Sequence, residues 1–248
     1  MTPKCWDKFR GYFLSHGFEI KAPSWPGKEG SVKEQNERPD SRLAGLGIRE
    51  IVDHYAEIIS REAERPILIG HSFGGLFVQM LLDRGLGAAG IAIDSVSPKG
   101  VFNLYPTVLK GMSFPLFVPA GWKKIIRISQ KRFAYAFIDK MSGEDQARIY
   151  NEEVVPETGR IFWQAALAPF NDLSKINFAN DKRAPMLIVA GSEDKIVPAK
   201  VNFSNYKKYI VSKARTDFKE FPGRTHYIIG GPGWEEVAGY CLEWLKGL

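Results

Sequence analysis

Residues 66–75 read PILIGHSFGG, an apolar run followed by a glycine, a histidine, a serine, a phenylalanine and a glycine pair. Ile67-Leu68-Ile69 has the continuous apolar character of a parallel strand covered on both faces. The residues from Leu76 to Leu82 are apolar nearly all round, as a buried helix is, and Gly85 is placed to close that helix. The stretch therefore predicts a strand-to-helix corner with a single hydroxyl, Ser72, at its apex. Gly70-His71-Ser72-Phe73-Gly74 fits the G-x-S-x-G spacing, in which small residues let two backbones approach and the serine projects at the strand's carboxyl end. The free N–H groups and positive dipole end of the helix's first turn point at the same place. A serine that only caps the helix is the structural alternative.

Outward from that corner, two periods alternate. Thr2 as N-cap and Pro3 at the first helical position introduce a helix with Trp6, Phe9 and Phe13 on one face. Gly17 to Trp25 reads as a short strand ended by Pro26-Gly27, and the polar run to Arg42 reads as a loop. Ile48, Ile51, Val52, Tyr55 and Ile59 form the stripe of a surface helix. Ile91 to Ile93 and Met186 to Val189 repeat the buried-strand signature, and Phe218 to Phe221 is a weaker, edge-like strand. An amphipathic helix on Trp234, Val237, Ala238, Cys241 and Leu245 ends the chain. Strands alternating with helices predict an α/β fold with a mostly parallel, doubly wound sheet. At 248 residues the chain is long enough to bury one large core.

From about Pro98 to Ala184 the alternation stops. This stretch holds helical pieces (Lys131 to Asp139, Gly143 to Asn151, Arg160 to Ala168), many aromatics and no buried strand, so it reads as an insertion between two sheet strands. The expected organisation is a core of residues 1–97 and 185–248 with a helical, aromatic-rich lid over 98–184. Each aromatic alone is most simply the insertion's own core. Collectively, an apolar cover at the carboxyl edge of a parallel sheet selects substrates with hydrophobic bulk, and Phe162 and Trp163 are candidates to line the site.

A serine hydroxyl needs a base to act as a nucleophile near neutral pH. Of the four histidines, His16 sits at a helix end, His54 on the polar edge of a helix, and His71 beside the serine, where the turn directs it elsewhere and leaves it at most a supporting role at the substrate site. His226 lies in PGRTHYIIGG, a loop just past the last strand, and is the expected general base. The imidazole in turn needs a carboxylate. Asp194, in the turn AGSEDKIVP after the Met186 to Val189 strand, is the first candidate; Glu193 and Asp94 reach the same edge and remain alternatives.

Composition narrows the classes. The two signs behind the net charge of +6 are mostly interleaved, and the basic patches Lys123-Lys124 and Lys182-Arg183 are short and lack the aromatic interleaving of a single-strand groove, so no nucleic-acid partner is expected. Cys5 and Cys241 have neither metal-ligand spacing nor a disulfide framework, which fits a reducing, cytoplasmic location. No signal-peptide core and no membrane-length apolar run is present, so no membrane partner is expected either.

Taken together, GHSFGG, GSEDKIVP and GRTHYIIGGPGWEEV resemble the nucleophile elbow, acid turn and histidine loop of the α/β-hydrolase superfamily, and APSWPGKEGS looks like the glycine-bearing loop after that family's fourth strand. The resemblance implies a serine hydrolase cleaving a carboxylic ester of a small to medium apolar substrate, with Ser72, Asp194 and His226 as triad, the Phe73 N–H as oxyanion donor, and no metal or organic cofactor. It admits C–C bond hydrolases, thioesterases, lactonases, haloperoxidase-like enzymes and a non-catalytic binding protein as alternatives. There is one departure. The family carries an HG-containing strand and loop before its first sheet-covering helix, and here Met1 directly precedes Thr2-Pro3. The resemblance thus implies an inner strand and a second oxyanion donor that this chain does not match, with a start assigned too late preferred over a shrunken sheet.

Overall fold

The computed structural model describes residues 1–248. In chain order the helices and strands are α1 (Asp7–Ser15), α2 (Val32–Glu37), α3 (Ile48–Ser60), β1 (Ile67–His71), α4 (Phe73–Asp83) and β2 (Ala89–Ile93). They continue through α5 (Pro106–Met112), β3 (Ile125–Ile126), α6 (Gln130–Phe137), α7 (Gly143–Glu153), β4 (Glu157–Thr158) and α8 (Gly159–Ala166). The chain then returns through β5 (Met186–Gly191), α9 (Ala199–Lys208), β6 (Thr216–Phe221) and α10 (Trp234–Lys246). The main sheet has the order β1-β2-β5-β6 and is parallel throughout, with Ile91 level with Ile69 and with Leu187.

Side-chain alternation along the two central strands sorts the core into two layers. Ile91, Ile93, Leu187 and Val189 face α1 and α10, where they meet Phe9, Phe13, Val237 and Leu242. Ala92, Met186 and Ile188 face the other way, toward Ile48, Ile51, Val52 and the apolar side of α4. The doubly wound sheet follows from this: each central strand is buried on both faces, so every one of its residues can be apolar.

Three local expectations are corrected. Gly17 to Trp25 is not a strand. Pro23 withholds an N–H, and the carbonyls of Pro23 and Ser24 accept instead from Tyr55 Oη and His54 Nε2, both at 3.1 Å, while Phe18 and Ile20 pack onto the α1 side of the core. The polar run before Arg42 is not all loop. Ser31 and Glu34 form a reciprocal capping box that starts α2, and a 3₁₀ turn follows at Ser41–Gly45. β1 is packed on both faces as expected, Leu68 toward α4 and Ile69 toward α1 and α10, and it lies at the sheet edge, with Ile67 37% exposed. Thr2 makes no side-chain cap, and a 3₁₀ turn at Pro3–Trp6 precedes α1.

Residues 98–184 add no strand to the main sheet, and their only strands are the antiparallel pair β3 and β4. The bonds that tie this segment to the rest include Lys28 Nζ to Glu157 Oε2 at 2.5 Å, Thr158 Oγ1 to the Leu46 carbonyl at 2.7 Å, and Ile48 N–H to Gln164 Oε1 at 2.7 Å.

Candidate active site

The corner after β1 is built by sterics. A Cβ on Gly70 would lie 2.1 Å from the Gly74 carbonyl oxygen, and one on Gly75 would lie 2.8 Å from Ser95 Cβ. Only glycine at these two positions lets α4 start so close to β1 and to the end of β2. Ser72 takes φ 57° and ψ −119°, a conformation non-glycine residues hold only when their surroundings over-determine it. Those surroundings are the bonds from Ser72 N–H to the Ile93 carbonyl (2.9 Å) and from Val96 N–H to the Ser72 carbonyl (3.0 Å). The N–H groups of Gly75 and Leu76 return to the Ser72 carbonyl. Phe73 and Gly74 N–H, at the start of α4, have no intrahelical acceptor.

Behind the corner lies a buried polar network that the sequence reading missed. Gln79 donates to Ser95 Oγ at 2.7 Å and accepts from Asn205 Nδ2 and Tyr209 Oη, each at 2.9 Å, while Asn202 Oδ1 accepts from Ser95 N–H at 3.2 Å. A glutamine inside the otherwise apolar Leu76 to Leu82 run was the available signal.

The loop after β6 brings His226 against Asp194. His226 Nδ1 and Asp194 Oδ2 are 2.6 Å apart, with both side chains fully buried. The other oxygen, Asp194 Oδ1, accepts from Ile196 N–H (2.6 Å) and Val197 N–H (2.9 Å), which fixes the carboxylate's orientation. An ionised carboxylate is acceptor-only, so Nδ1 carries the proton and Nε2 is the nitrogen with a free lone pair. That Nε2 is buried and makes no hydrogen bond, so the Ser72 hydroxyl is not bonded to it. The structure thus joins Asp194 to His226 and sets Ser72 at the neighbouring corner without closing the third contact.

His71 supplies the link between corner and loop. Its Nε2 lies 2.6 Å from the His226 carbonyl oxygen and its ring 4.6 Å from the His226 ring. Burial first, and the neighbouring His226 second, hold the His71 pKa well below the usual imidazole range, so it is neutral and donates through Nε2. Phe137 sets its ring edge-on at 4.9 Å to His226 and accepts from Tyr227 N–H through its carbonyl, so α6 braces the same loop.

The two other carboxylates considered do not touch His226 through a hydrogen bond. Glu193 is half-exposed and 3.9 Å from Lys140. Asp94 is fully buried at φ 42° and accepts from Gly191 N–H at 2.8 Å through Oδ1. Burial, with Asp194 next to it, pushes the Asp94 pKa well above the ordinary carboxylate range. His71, Asp94 and His226 offer metal-ligand atoms within 4.8 Å of one another and form the one group able to hold a metal ion. Phe162 meets Phe73 edge-on at 5.8 Å, beside the corner. Trp163 is engaged elsewhere, bonding the Pro115 carbonyl and packing on Trp122. His16 and His54 hydrogen-bond to the carbonyls of Tyr12 and Ser24 and stand apart from this set.

A sequence model described as the alpha/beta hydrolase family matches residues 1–238. The chain belongs to the α/β-hydrolase family. Among solved structures, this α/β-hydrolase is similar to a monoacylglycerol lipase of Paleococcus ferrophilus (20% identity, TM-score 0.67, covering 97% of this chain and 88% of that one). It is also similar to a pyrethroid hydrolase of Sphingobium faniae (16%, 0.67, 98% and 92%) and to tomato methylketone synthase I in complex with 2-tridecanone (14%, 0.72, 99% and 94%). At these identities the likeness concerns the fold. No curated protein sequence matches the chain.

Proposed function

We propose that this α/β-hydrolase cleaves carboxylic esters of small to medium apolar substrates through an acyl-enzyme on Ser72. The reading is carried by the buried Asp194–His226 couple, whose unbonded Nε2 belongs to a loop pinned to the corner residue His71. A rotation of the Ser72 side chain toward Nε2 completes the relay. His226 then takes the hydroxyl proton as Ser72 Oγ attacks the ester carbonyl, and Asp194 stabilises the imidazolium. The Phe73 N–H at the start of α4 donates to the developing oxyanion. His226 returns the proton to the leaving alcohol, and water repeats the sequence to release the acid.

Residues 98–184 act as a lid in this reading, with Phe162 against Phe73 as the apolar wall for the acyl chain. The similar lipase and pyrethroid hydrolase agree with an ester substrate. A series of p-nitrophenyl esters from acetate to decanoate tests the proposal. Turnover that grows with acyl length and disappears in Ser72→Ala supports it. Turnover that survives Ser72→Ala, or its absence across the series with only binding observed, contradicts it.

A further inference from the structure

The net charge of the chain is concentrated in one segment. Between Asp94 and Asp139 there is no aspartate or glutamate, while seven lysines and arginines occur. The whole chain is +6 from 34 cations and 28 anions, so the remaining residues carry 27 cations against the same 28 anions, a net of −1. Lys99 is the only one of the seven in an ion pair, with Asp172 at 2.8 Å. Lys110, Arg127 and Arg132 lie over the rings of Tyr135, Tyr150 and Phe114, which leaves their charge uncancelled, and Lys123 and Lys124 are exposed.

The same region presents large apolar side chains to water. Leu104, Phe117 and Phe170 are 77%, 80% and 85% exposed, and Leu109 and Trp122 are exposed beside them in sequence. Their elements adjoin. The 3₁₀ turn Phe114–Phe117 packs on α5, on α8 and on the turn Gly121–Lys123, and the turn Ala168–Phe170 packs on α8. Clustered exposure of this kind marks an interaction surface.

Charge identifies the occupant. A second copy of this chain would set cations against cations, which disfavours self-association through this face. A nucleic acid would use the lysines but leave Leu104 and Leu109 in water. An anionic bilayer uses both: apolar side chains enter the boundary between headgroups and acyl chains while lysines and arginines stay at the phosphates. We infer that residues 104–132, with the neighbouring Phe170, form a docking surface for a membrane rich in anionic phospholipid. Docking is peripheral, since no helix is long and apolar enough to cross a membrane. It revises the expectation of no membrane partner drawn from the absence of apolar runs, and it stands independently of the chemistry at Ser72.

Co-sedimentation with phosphatidylcholine vesicles, and with equimolar phosphatidylcholine and phosphatidylglycerol vesicles, tests the inference on the full chain. The anionic vesicles are expected to bind about tenfold or more tightly than the neutral ones, with binding weakened by salt. Lys123→Glu/Lys124→Glu and Phe117→Ser are each expected to lower that binding about tenfold. Lys207→Glu/Lys208→Glu on α9 and Ser72→Ala are expected to leave it unchanged. No preference for anionic vesicles, an equal loss in the α9 control, or a dimer in sedimentation velocity that Phe117→Ser dissociates would each overturn it. Binding of single-stranded DNA in place of the vesicles would do the same.

Discussion

Asp194 reaches His226 Nδ1 at 2.6 Å while Asp94, buried beside it, bonds only the Gly191 N–H, so two neighbouring carboxyls in one site have different partners. The first is oriented by two backbone N–H donors and suits an anion. The second has one donor and an oxygen without a partner, and suits a neutral acid. Asp194→Asn is expected to lower kcat about 10⁴-fold by fixing the wrong tautomer of His226. Asp94→Asn, which keeps an oxygen for Gly191 N–H, is expected to stay within about tenfold of the parent. Ester kinetics on the two variants check this, and equal losses would contradict the assignment of Asp194.

Stability against pH should show opposite slopes for two buried groups. Asp94 is raised above its ordinary 3.8, so as pH climbs past that value the unfolded chain loses a proton that the folded one keeps, and stability falls toward the folded value. His71 is depressed below 6.5, so its contribution is complete above 6.5 and is lost as pH falls toward the folded value. Asp94→Asn is expected to gain Tm relative to the parent as pH rises from acid to neutral. His71→Gln, which retains a donor for the His226 carbonyl, is expected to flatten the loss on the acid side. Thermal melts across that range measure both.

Gly70→Ala is expected to be severely destabilising, because its Cβ would meet the backbone carbonyl of Gly74 at 2.1 Å and no side-chain movement relieves that. Gly74→Ala meets nothing within 4 Å and is expected to cost little. Denaturant unfolding of the pair separates a corner defined by close backbone approach from one where any glycine is interchangeable. Equal destabilisation would contradict this account of the corner.

The Lys28–Glu157 pair joins the loop before α2 to β4, and Lys28 also sits 4.7 Å over the Trp25 ring. Removing one partner leaves the other with little access to water. Lys28→Met is expected to cost about 3–5 kcal/mol, and the double variant Lys28→Met/Glu157→Gln to recover most of it. A double-mutant cycle in urea measures the coupling.

The central strands, α3, α4 and α10 were legible because their burial is two-sided or strictly one-sided, which leaves a clear period in the sequence. Asp194 and His226 were legible because each follows a sheet strand at its carboxyl end. Gly17 to Trp25 misled because its alternation comes from packing Phe18 and Ile20 onto the core, without a neighbouring strand for its backbone to pair with. α2 carries almost no apolar period and is announced only by its capping box. Asn205 and Tyr209 on Gln79, and Glu157 on Lys28, lie more than a hundred residues from their partners, and no local pattern signals such pairs. The indole N–H of Trp163 is bonded to the Pro115 carbonyl and its ring packs on Trp122, pairings that its aromatic character alone does not signal.

Labelling with a fluorophosphonate probe, read by mass spectrometry of the intact and digested protein, tests the central claim most directly. The account predicts a single adduct on Ser72 in the folded protein, lost in Ser72→Ala and slowed at least about 10³-fold in His226→Ala. Folded protein that remains unlabelled, or that is labelled as fast in His226→Ala as in the parent, would contradict it.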